Sequence, residues 1–218
     1  MVFYIGTMGD SIKKLEWRYA VKKFDSDRYL SNEQVEKLKK AFNLTATSYG
    51  LQPIKMVVLR NKELQAALVP HSYHQPQVGQ ASDVLVFGIE KNIDSAYITQ
   101  YFERVKQIRG TSEKILTPFK EFLVKSFSGK EEEEINQWAT NQAYLAMGNL
   151  LTICALEEID ACPMEGFVPS AYDELLQLDA MGLASVLVMP VGFRAKDDVF
   201  SELKKVRKDL DETVIHIY

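Results

Sequence analysis

The chain has 218 residues, of which 46% are hydrophobic and 26% are charged, and these fractions are typical of a globular protein. They exclude a disordered or fibrous chain, and the length suits a single domain that buries a core without disulfides. The net charge of −4 argues against nucleic acid or an anionic membrane as the main partner. Two cysteines, Cys154 and Cys162, are too few for a disulfide framework and indicate a reducing, cytoplasmic compartment.

Hydrophobic periodicity predicts helices and strands through the first half of the chain. The second helix is marked by a capping box, since Gln34 lies three residues after Ser31. The strands are marked by short β-branched runs. In chain order, the predicted elements are helices at residues 11–19 and 31–45, a strand at 56–59, a helix at 63–68, turns at 70–80 and a strand at 84–89.

One long helix dominates the second half of the chain. The acidic run at residues 131–134 suits the positive end of its dipole, and the helix continues through a nearly apolar block at 143–156. That block is shorter than the roughly 18 residues that a membrane span requires. We therefore expect it to form the spine of the core or to lie in a subunit interface.

Residues 1–10 lack the pattern of a secretion signal.

Two further strands are predicted near the end of the sequence. Residues 185–191 form a β-branched run in which Pro190 indicates an edge strand or a strand that ends there. Residues 213–218 alternate and predict a fourth strand. Residues 94–134 hold aromatics among many charges and give no clear pattern. No repeat or linker divides the chain, so residues 1–218 are interpreted as one domain.

Several patterns of nucleotide, metal and nucleophile chemistry are missing from the sequence. It contains no glycine-rich dinucleotide fingerprint, no P-loop and no nucleophile elbow. His71 and His74 have the spacing of half a metal site, but no cysteine or carboxylate cluster completes it. We interpret them as surface histidines of a loop, and no metal is expected.

Basic residues gather near both ends of this net-acidic chain. If the two clusters met in space they would suit a phosphate, which arginine binds in bidentate fashion. The alternative is that both are solvated loop faces. Residues 162–167, around Gly166, either bring the backbone close to a ligand or form a simple turn. The clusters are Arg18, Lys22 and Lys23 after the first helix, and Lys204, Lys205, Arg207 and Lys208 before the last predicted strand.

Motifs in the same order along nearly the whole chain resemble those of the nitroreductase family. Residues 91–134 match that family only in length and aromatic content. Each motif is short, and the resemblance depends on their order. The matching segments are residues 18–24, residues 46–53 with the strand after them, the helix and turn at 144–156 and 162–167, residues 188–198, and the pair Lys205 and Arg207.

The resemblance implies an α+β fold in which a central, mostly antiparallel sheet lies between helices. Residues 91–134 would be a lid-like helical excursion, and a C-terminal strand would extend to the partner subunit of a homodimer. The implied activity is that of an FMN-dependent oxidoreductase, which passes a hydride from NADH or NADPH through bound FMN by a ping-pong mechanism. Its partners would be small electron acceptors, namely nitroaromatics, quinones, flavins or pteridines, and not nucleic acid or a membrane.

The resemblance also implies roles for single residues. Arg18, Lys205 and Arg207 would hold the FMN phosphate. Lys22 would stabilise negative charge at the N1/O2 edge of the reduced flavin. The backbone N–H of Glu165 would face flavin N5, so Lys22 and Glu165 are the expected catalytic groups.

Other contacts to the cofactor are implied in the same way, and two of them come from the partner subunit. Thr47 and Ser48 of the other protomer would line the ribityl or dimethylbenzene side. The remaining contacts expected from the resemblance are Tyr19, Ala20, Ala46, Gly50, His74, Gln77, Pro163, Met164 and Gly166.

The sequence departs from the family pattern at four positions. Ala20 and Gly50 replace a serine and an asparagine, and His74 and Gln77 replace an asparagine and a lysine. Gln77 thereby removes one positive charge and leaves Lys22 as the main cation near the flavin. Two alternatives remain: an FMN-binding carrier or sensor of the same fold without efficient NAD(P)H turnover, and an unrelated protein that binds a phosphorylated partner through its basic ends.

Overall fold

The computed structural model describes residues 9–218, so the prediction about a secretion signal in residues 1–10 lies almost wholly outside the described residues. Within that range four strands form one antiparallel sheet in the order β1-β2-β4-β3. This agrees with the expected antiparallel sheet. The strands are β1 (Ile54–Leu59), β2 (Asp83–Glu90), β3 (Asp160–Ala161) and β4 (Leu183–Gly192).

Helices lie on both sides of this sheet, and the helices predicted at residues 11–19, 31–45 and 63–68 are confirmed with small shifts of their ends. The capping box of the second helix is also confirmed. Ser31 Oγ accepts from Gln34 N at 3.2 Å, and Gln34 Oε1 accepts from Ser31 N at 2.9 Å. In the described range the α-helices are α1 (Gly9–Trp17), α2 (Asn32–Asn43), α3 (Lys62–Leu68), α4 (Gln77–Gln80), α5 (Ser95–Arg109), α6 (Glu113–Ser128), α7 (Glu132–Leu156), α8 (Pro169–Leu175) and α9 (Leu210–Thr213).

The sheet separates two hydrophobic cores because β2 is buried on both faces. Leu85 and Phe87 face the larger core, which contains residues of α2, α5, α6 and α7. Val84 and Val86 face the smaller core, with α3 and α8. Each fully buried side chain of this kind stabilises the fold by about 1.5–3 kcal/mol relative to exposure. The long helix α7 is the spine of the larger core, which is one of the two alternatives that its composition predicted.

The segment without a clear pattern, residues 94–134, contains the helices α5 and α6, which pack against each other. Their boundaries are set by local signals. The Asp94 side chain caps α5 by accepting from Tyr97 N at 2.9 Å, and Gly110 ends α5 with φ of 66°. Pro118 lies inside α6, where proline removes a helical hydrogen bond, so a helix was not evident there from the sequence.

One detail of the strand predictions is wrong, and a second is a strand that the single chain does not form. The strand with Pro190 is not at the edge, because β4 lies between β2 and β3. Proline lacks an N–H, but this missing donor would point toward β3, which is only two residues long, so little pairing is lost on that side. The oxygen of Pro190 still accepts from Cys162 N at 3.0 Å. The second detail is the predicted strand at residues 213–218. Thr213 instead ends α9, and residues 214–218 are exposed without strand structure because no described strand lies beside them.

The largest exposed apolar residues of α7 are Tyr144, Leu145 and Leu156, so this helix is not buried all round. None of the helices between residues 9 and 218 is both long and apolar enough to cross a membrane. The exposed side of α7 and the exposed tail after α9 are therefore two apolar surfaces that this single chain leaves uncovered.

Candidate active site

The two basic clusters meet in one cleft. Arg18, Lys22, Lys205 and Arg207 line a cleft of about 500 Å³ beside the end of α1. The Lys205 ammonium donates a hydrogen bond to the carbonyl oxygen of Arg18, so the two segments touch. The condition that the two clusters meet in space is therefore fulfilled, although Lys22, Lys205 and Arg207 are exposed to solvent.

The positive charge of this cleft is largely uncompensated. With Lys204, which also lines the cleft, there are five cationic side chains, and one acidic residue, Glu16, lines it too. None of the five cations forms an ion pair with a carboxylate among the side chains that the structure describes. Burial, and then the nearby Arg207, lowers the pKa of Arg18. Burial, followed by Arg18 and Arg207, lowers the pKa of Lys205, and Glu16 opposes this only in part. Such repulsion is relieved by a bound anion, so the donor set fits a phosphate.

Backbone pairing with the sheet fixes the segment that carries Arg18 and Lys22. Ala20 forms a bridge with Ala161 next to β4, and Val21 N donates to the oxygen of Ala161 at 3.3 Å. The Val21 side chain is fully buried in the smaller core. Tyr19 lines the cleft, but its hydroxyl donates to Asp198 Oδ2 at 2.8 Å. Burial, and then this hydrogen bond, raises the pKa of Tyr19.

An apolar cavity of about 470 Å³ adjoins the cleft at Pro163, which lines both. Tyr144 and Glu165 are its polar side chains, and Tyr144 Oη donates to Glu165 Oε1 at 2.7 Å. This hydrogen bond raises the pKa of Tyr144. A Cβ added to Gly148 would meet no atom within 4 Å, so this side of α7 is open. The cavity lining is Tyr144, Met147, Gly148, Leu151, Pro163, Met164, Glu165 and Leu187.

The turn at residues 163–166, which lies between the cleft and the apolar cavity, is held by hydrogen bonds on two sides. Met164 pairs with Val188 of β4, through N–H to oxygen distances of 2.8 and 3.1 Å. Gln75 Nε2 donates to the oxygen of Gly166 at 2.9 Å, and a Cβ on Gly166 would lie only 3.1 Å from that nitrogen. No described residue accepts a hydrogen bond from the N–H of Glu165 or of Gly166. Two adjacent backbone donors therefore remain available to a ligand.

The residues just before Gln75, which contacts the turn at 163–166, have a strained backbone. Tyr73 and His74, the two residues before it, both adopt left-handed conformations, with φ of 51° and 58°. Such conformations cost free energy in residues other than glycine and persist where the surroundings enforce them. The strain supports a positioning role for this loop.

The structure does not bring the residues of the 46–50 loop into the cleft of the same chain. Thr47 and Gly50 line another cavity, of about 320 Å³, beside α5. Ser48 N donates to Gln142 Oε1 at 2.8 Å, and Ala46 is exposed. Their donation to a partner subunit stays a prediction.

His74 and Gln77 line neither the cleft nor the apolar cavity of the described chain. His74 is exposed, whereas Gln77 is 3% exposed and its Nε2 lies 4.0 Å from Cys162 Sγ. Gln77 Oε1 is buried and has no hydrogen-bond partner among the described residues. An unpaired buried oxygen is costly, so this amide is available to a donor that reaches it.

Sequence reasoning missed Gln75, Tyr144 and Asp198. The first two act through contacts between segments distant in sequence, which no local pattern reveals. Asp198 has one local signal: it caps the helical turn Val199–Glu202 by accepting from Phe200 N at 3.1 Å.

Comparison with known proteins agrees with this architecture. The Nitroreductase family profile matches residues 15–193. A Staphylococcus haemolyticus protein with the provisional name NAD(P)H nitroreductase is 28% identical over 211 residues, covering 93% of this chain and 96% of the relative. A nitroreductase-like protein from Streptococcus mutans has a TM-score of 0.82 at 25% identity, covering 97% of this chain and 100% of its own. A protein from Exiguobacterium sibiricum, provisionally named a nitroreductase and crystallised with FMN, has a TM-score of 0.80 at 15% identity, covering 95% and 97%.

These matches confirm the α+β, nitroreductase-like fold that the sequence motifs implied. The profile spans most of the chain and includes the segment of Arg18 and Lys22, the long helix α7 and the turn at Glu165. It stops before Lys205 and Arg207, so these two are assigned to the cleft by the geometry. The chain belongs to the nitroreductase family.

Proposed function

We propose that this chain is an FMN-dependent oxidoreductase that passes a hydride from NADH or NADPH through FMN to nitroaromatic, quinone, flavin or pteridine acceptors by a ping-pong mechanism. The observation that carries the proposal is the junction of a basic cleft with an apolar cavity at Pro163. One end suits a phosphate and the other a flat apolar ring, which are the two ends of FMN. The FMN complex of the Exiguobacterium sibiricum protein and the name of the Staphylococcus haemolyticus relative support the same cofactor and reductant.

FMN, when bound, supplies the chemistry by accepting and releasing a hydride at N5. The protein supplies binding, orientation and charge. Arg18, Lys205 and Arg207 hold the phosphate through charge-assisted hydrogen bonds. Lys22 lies in the same cleft and stabilises negative charge at the edge of the ring.

The turn at residues 163–166 orients the ring against the apolar cavity. The N–H groups of Glu165 and Gly166 are the donors that remain for the flavin edge. Their positions are fixed because Met164 is paired to β4 and the Gly166 oxygen is bonded to Gln75. Preformed donors of this kind stabilise developing charge without having to reorient during the reaction.

We further propose a homodimer with FMN at its interface, with residues 91–134 acting as a lid-like excursion of a single domain. Tyr144 and Leu145 of α7 are exposed, as are Ile215, Ile217 and Tyr218 of the tail. In the dimer the tail would extend as a strand on the partner, and Thr47 and Ser48 would reach the partner's FMN. The two cysteines are free and buried, which supports a cytoplasmic location.

The test begins with the colour of the purified protein. A yellow protein that releases FMN on denaturation supports the proposal, whereas a colourless protein indifferent to added FMN contradicts it. Anaerobic addition of NADH or NADPH should then bleach the flavin. A flavin that stays yellow with both would favour the carrier or sensor, which the neutral Gln77 keeps open. The acceptor class follows from a screen of nitroaromatics, quinones, flavins and dihydropteridines on the reduced protein.

A further inference from the structure

We infer that Asp198 is a positioning residue that assembles the phosphate end of the site by joining its two basic segments. The first segment, residues 18–23, carries Arg18 and Lys22. The second, residues 199–207, carries Lys205 and Arg207. The inference rests on the proposed function, because it concerns how FMN is held.

The Asp198 carboxylate is 4% exposed and accepts four hydrogen bonds. Its Oδ2 accepts from Tyr19 Oη at 2.8 Å, from Lys22 N at 3.0 Å and from Lys23 N at 3.1 Å. Its Oδ1 accepts from Phe200 N at 3.1 Å. Three donors therefore come from the first segment and one from the turn that opens the second.

Asp198 does not itself line the cleft, so it acts through the residues that it holds. A buried carboxylate is tolerated only when hydrogen bonds compensate its lost hydration. Burial alone would raise the pKa of Asp198, but the hydrogen bonds outweigh burial and hold the pKa below the usual range. The residue is thus an anion at neutral pH and accepts from donors 176 and 179 positions away in sequence.

Asp198→Asn is the informative substitution because it keeps the size of the side chain. The amide has one acceptor oxygen instead of two, and its NH2 group faces backbone or hydroxyl donors. The bonds on one side are lost, and the two basic segments are then held together less firmly, by contacts such as that of Lys205 with the Arg18 oxygen. The phosphate of FMN loses its site, whereas riboflavin, which has the same ring without the phosphate, is affected much less.

Asp83→Asn is the matched control. Asp83 is 1% exposed and accepts from Arg60 Nε at 2.8 Å, Arg60 Nη2 at 3.0 Å and Ser82 Oγ at 2.7 Å. Neither Asp83 nor these partners line the cleft or the apolar cavity. The control therefore removes a comparable buried carboxylate without touching the proposed site.

The experiment measures dissociation constants for FMN and riboflavin by flavin fluorescence, with wild type and both variants. We expect Asp198→Asn to weaken FMN binding about tenfold or more while riboflavin changes about twofold or less. Asp83→Asn should lower thermal stability but keep the preference for FMN. An unchanged preference in Asp198→Asn would overturn the inference, as would an equal loss of both flavins.

Tyr19→Phe gives a second, milder variant in case Asp198→Asn does not fold. It removes one of the four donors and should shift the FMN preference in the same direction by a few-fold. If Asp198→Asn does not fold and Tyr19→Phe has the same preference for FMN over riboflavin as the wild type, the inference is overturned. If the wild type binds neither flavin, the proposed function fails. In that case, calorimetry with inorganic phosphate tests the role of Asp198 independently of flavin. Phosphate binding to the wild type that is lost in Asp198→Asn would still support the role, and phosphate binding that persists in the variant would refute it.

Discussion

At the phosphate end of the candidate site, the cationic side chains come from two segments that are separated by nearly the whole chain. Lys205 donates to the carbonyl oxygen of Arg18, which lies 187 positions earlier in the sequence. At the ring end, the two available backbone donors, Glu165 and Gly166, belong to one short turn at 163–166, which is bonded to β4 and to Gln75. The first end is positively charged, whereas the second is apolar and its turn is anchored to the core. We therefore expect the affinity for the FMN phosphate to depend on the first end and the rate of hydride transfer to depend on the second.

This difference gives a simple criterion for variants. Changes at the phosphate end should alter the affinity for FMN but not for riboflavin, because only FMN carries the phosphate. Changes at the ring end should alter turnover of the loaded protein while the preference for FMN stays. A variant that changes both the preference for FMN over riboflavin and the turnover of the loaded protein would contradict this separation.

The largest effect is expected for Arg207→Ala. Loss of a charge-assisted contact to phosphate costs about 1.5–3 kcal/mol, which corresponds to about 10- to 150-fold weaker FMN binding. Riboflavin binding should change little. Titration of both flavins by fluorescence measures the two constants.

Lys208→Ala is the control for that substitution. It removes a positive charge from the same segment, but Lys208 does not line the cleft. FMN affinity close to that of wild type is expected. If both alanine variants lost the same affinity, general charge attraction rather than a defined phosphate site would explain the binding.

Gly166→Ala should act at the ring end. Its Cβ would lie 3.1 Å from Gln75 Nε2, so the loop or the turn must shift. A misplaced donor can cost a large part of the rate, and we expect turnover to fall about tenfold or more with FMN affinity changed about threefold or less. Steady-state and flavin-binding assays measure the two. Gln75→Ala removes the contacted atom together with its hydrogen bond to the Gly166 oxygen, so it serves as the reference background. If the cause is steric, Gly166→Ala should cost little further rate in that background, and an equal loss in both backgrounds would contradict it.

Lys205→Arg is expected to change the pH dependence of FMN binding. Burial, then Arg18 and Arg207, lowers the pKa of Lys205, so in the absence of an anion it loses its proton at lower pH than an ordinary lysine. FMN affinity should fall a few-fold as pH rises through this lowered pKa, because the protonated form binds phosphate. Arginine stays charged throughout, so the variant should lose this alkaline decrease. Riboflavin, titrated in parallel, corrects for ionisation of the ring.

The smallest effect is expected for Tyr144→Phe. It removes the 2.7 Å hydrogen bond to Glu165, and both side chains are exposed, so the bond is worth little more than the low end of the usual range, about 0.5 kcal/mol. Turnover should fall about two- to threefold, with FMN affinity unchanged. A tenfold loss would instead assign the Tyr144 hydroxyl a direct role toward substrate.

The elements that could be predicted from the sequence are those with local causes. The strand β2 is recognisable because residues 84–89 form a short run without a polar side chain. The helix α2 is recognisable because its capping box lies within four residues, Ser31 to Gln34. The helix α6 was not evident because Pro118 and its many charges obscure the periodicity. The edge position predicted for the strand with Pro190 failed because the neighbour, β3, is too short to see in the sequence.

The candidate site was predictable in composition but not in assembly. The two basic clusters were visible as residue types, but their meeting depends on backbone pairing of Ala20 with Ala161 and on the bonds of Asp198. The contact of Gln75 with Gly166 depends on left-handed Tyr73 and His74, which residue propensities do not predict. The contribution of Thr47 from a second subunit stays a prediction, because it needs a partner chain.

Every residue from 203 to 218 is exposed, so both hydrophobic cores are complete before this segment contributes anything. Formation of the sheet therefore does not require Lys205 or Arg207, and the capture of FMN becomes an event that follows folding. For the same reason, a protease cut just after Leu203 would remove two of the proposed phosphate ligands together with α9, but would leave the sheet and the other helices intact. The protein can thus lose its flavin without losing its fold.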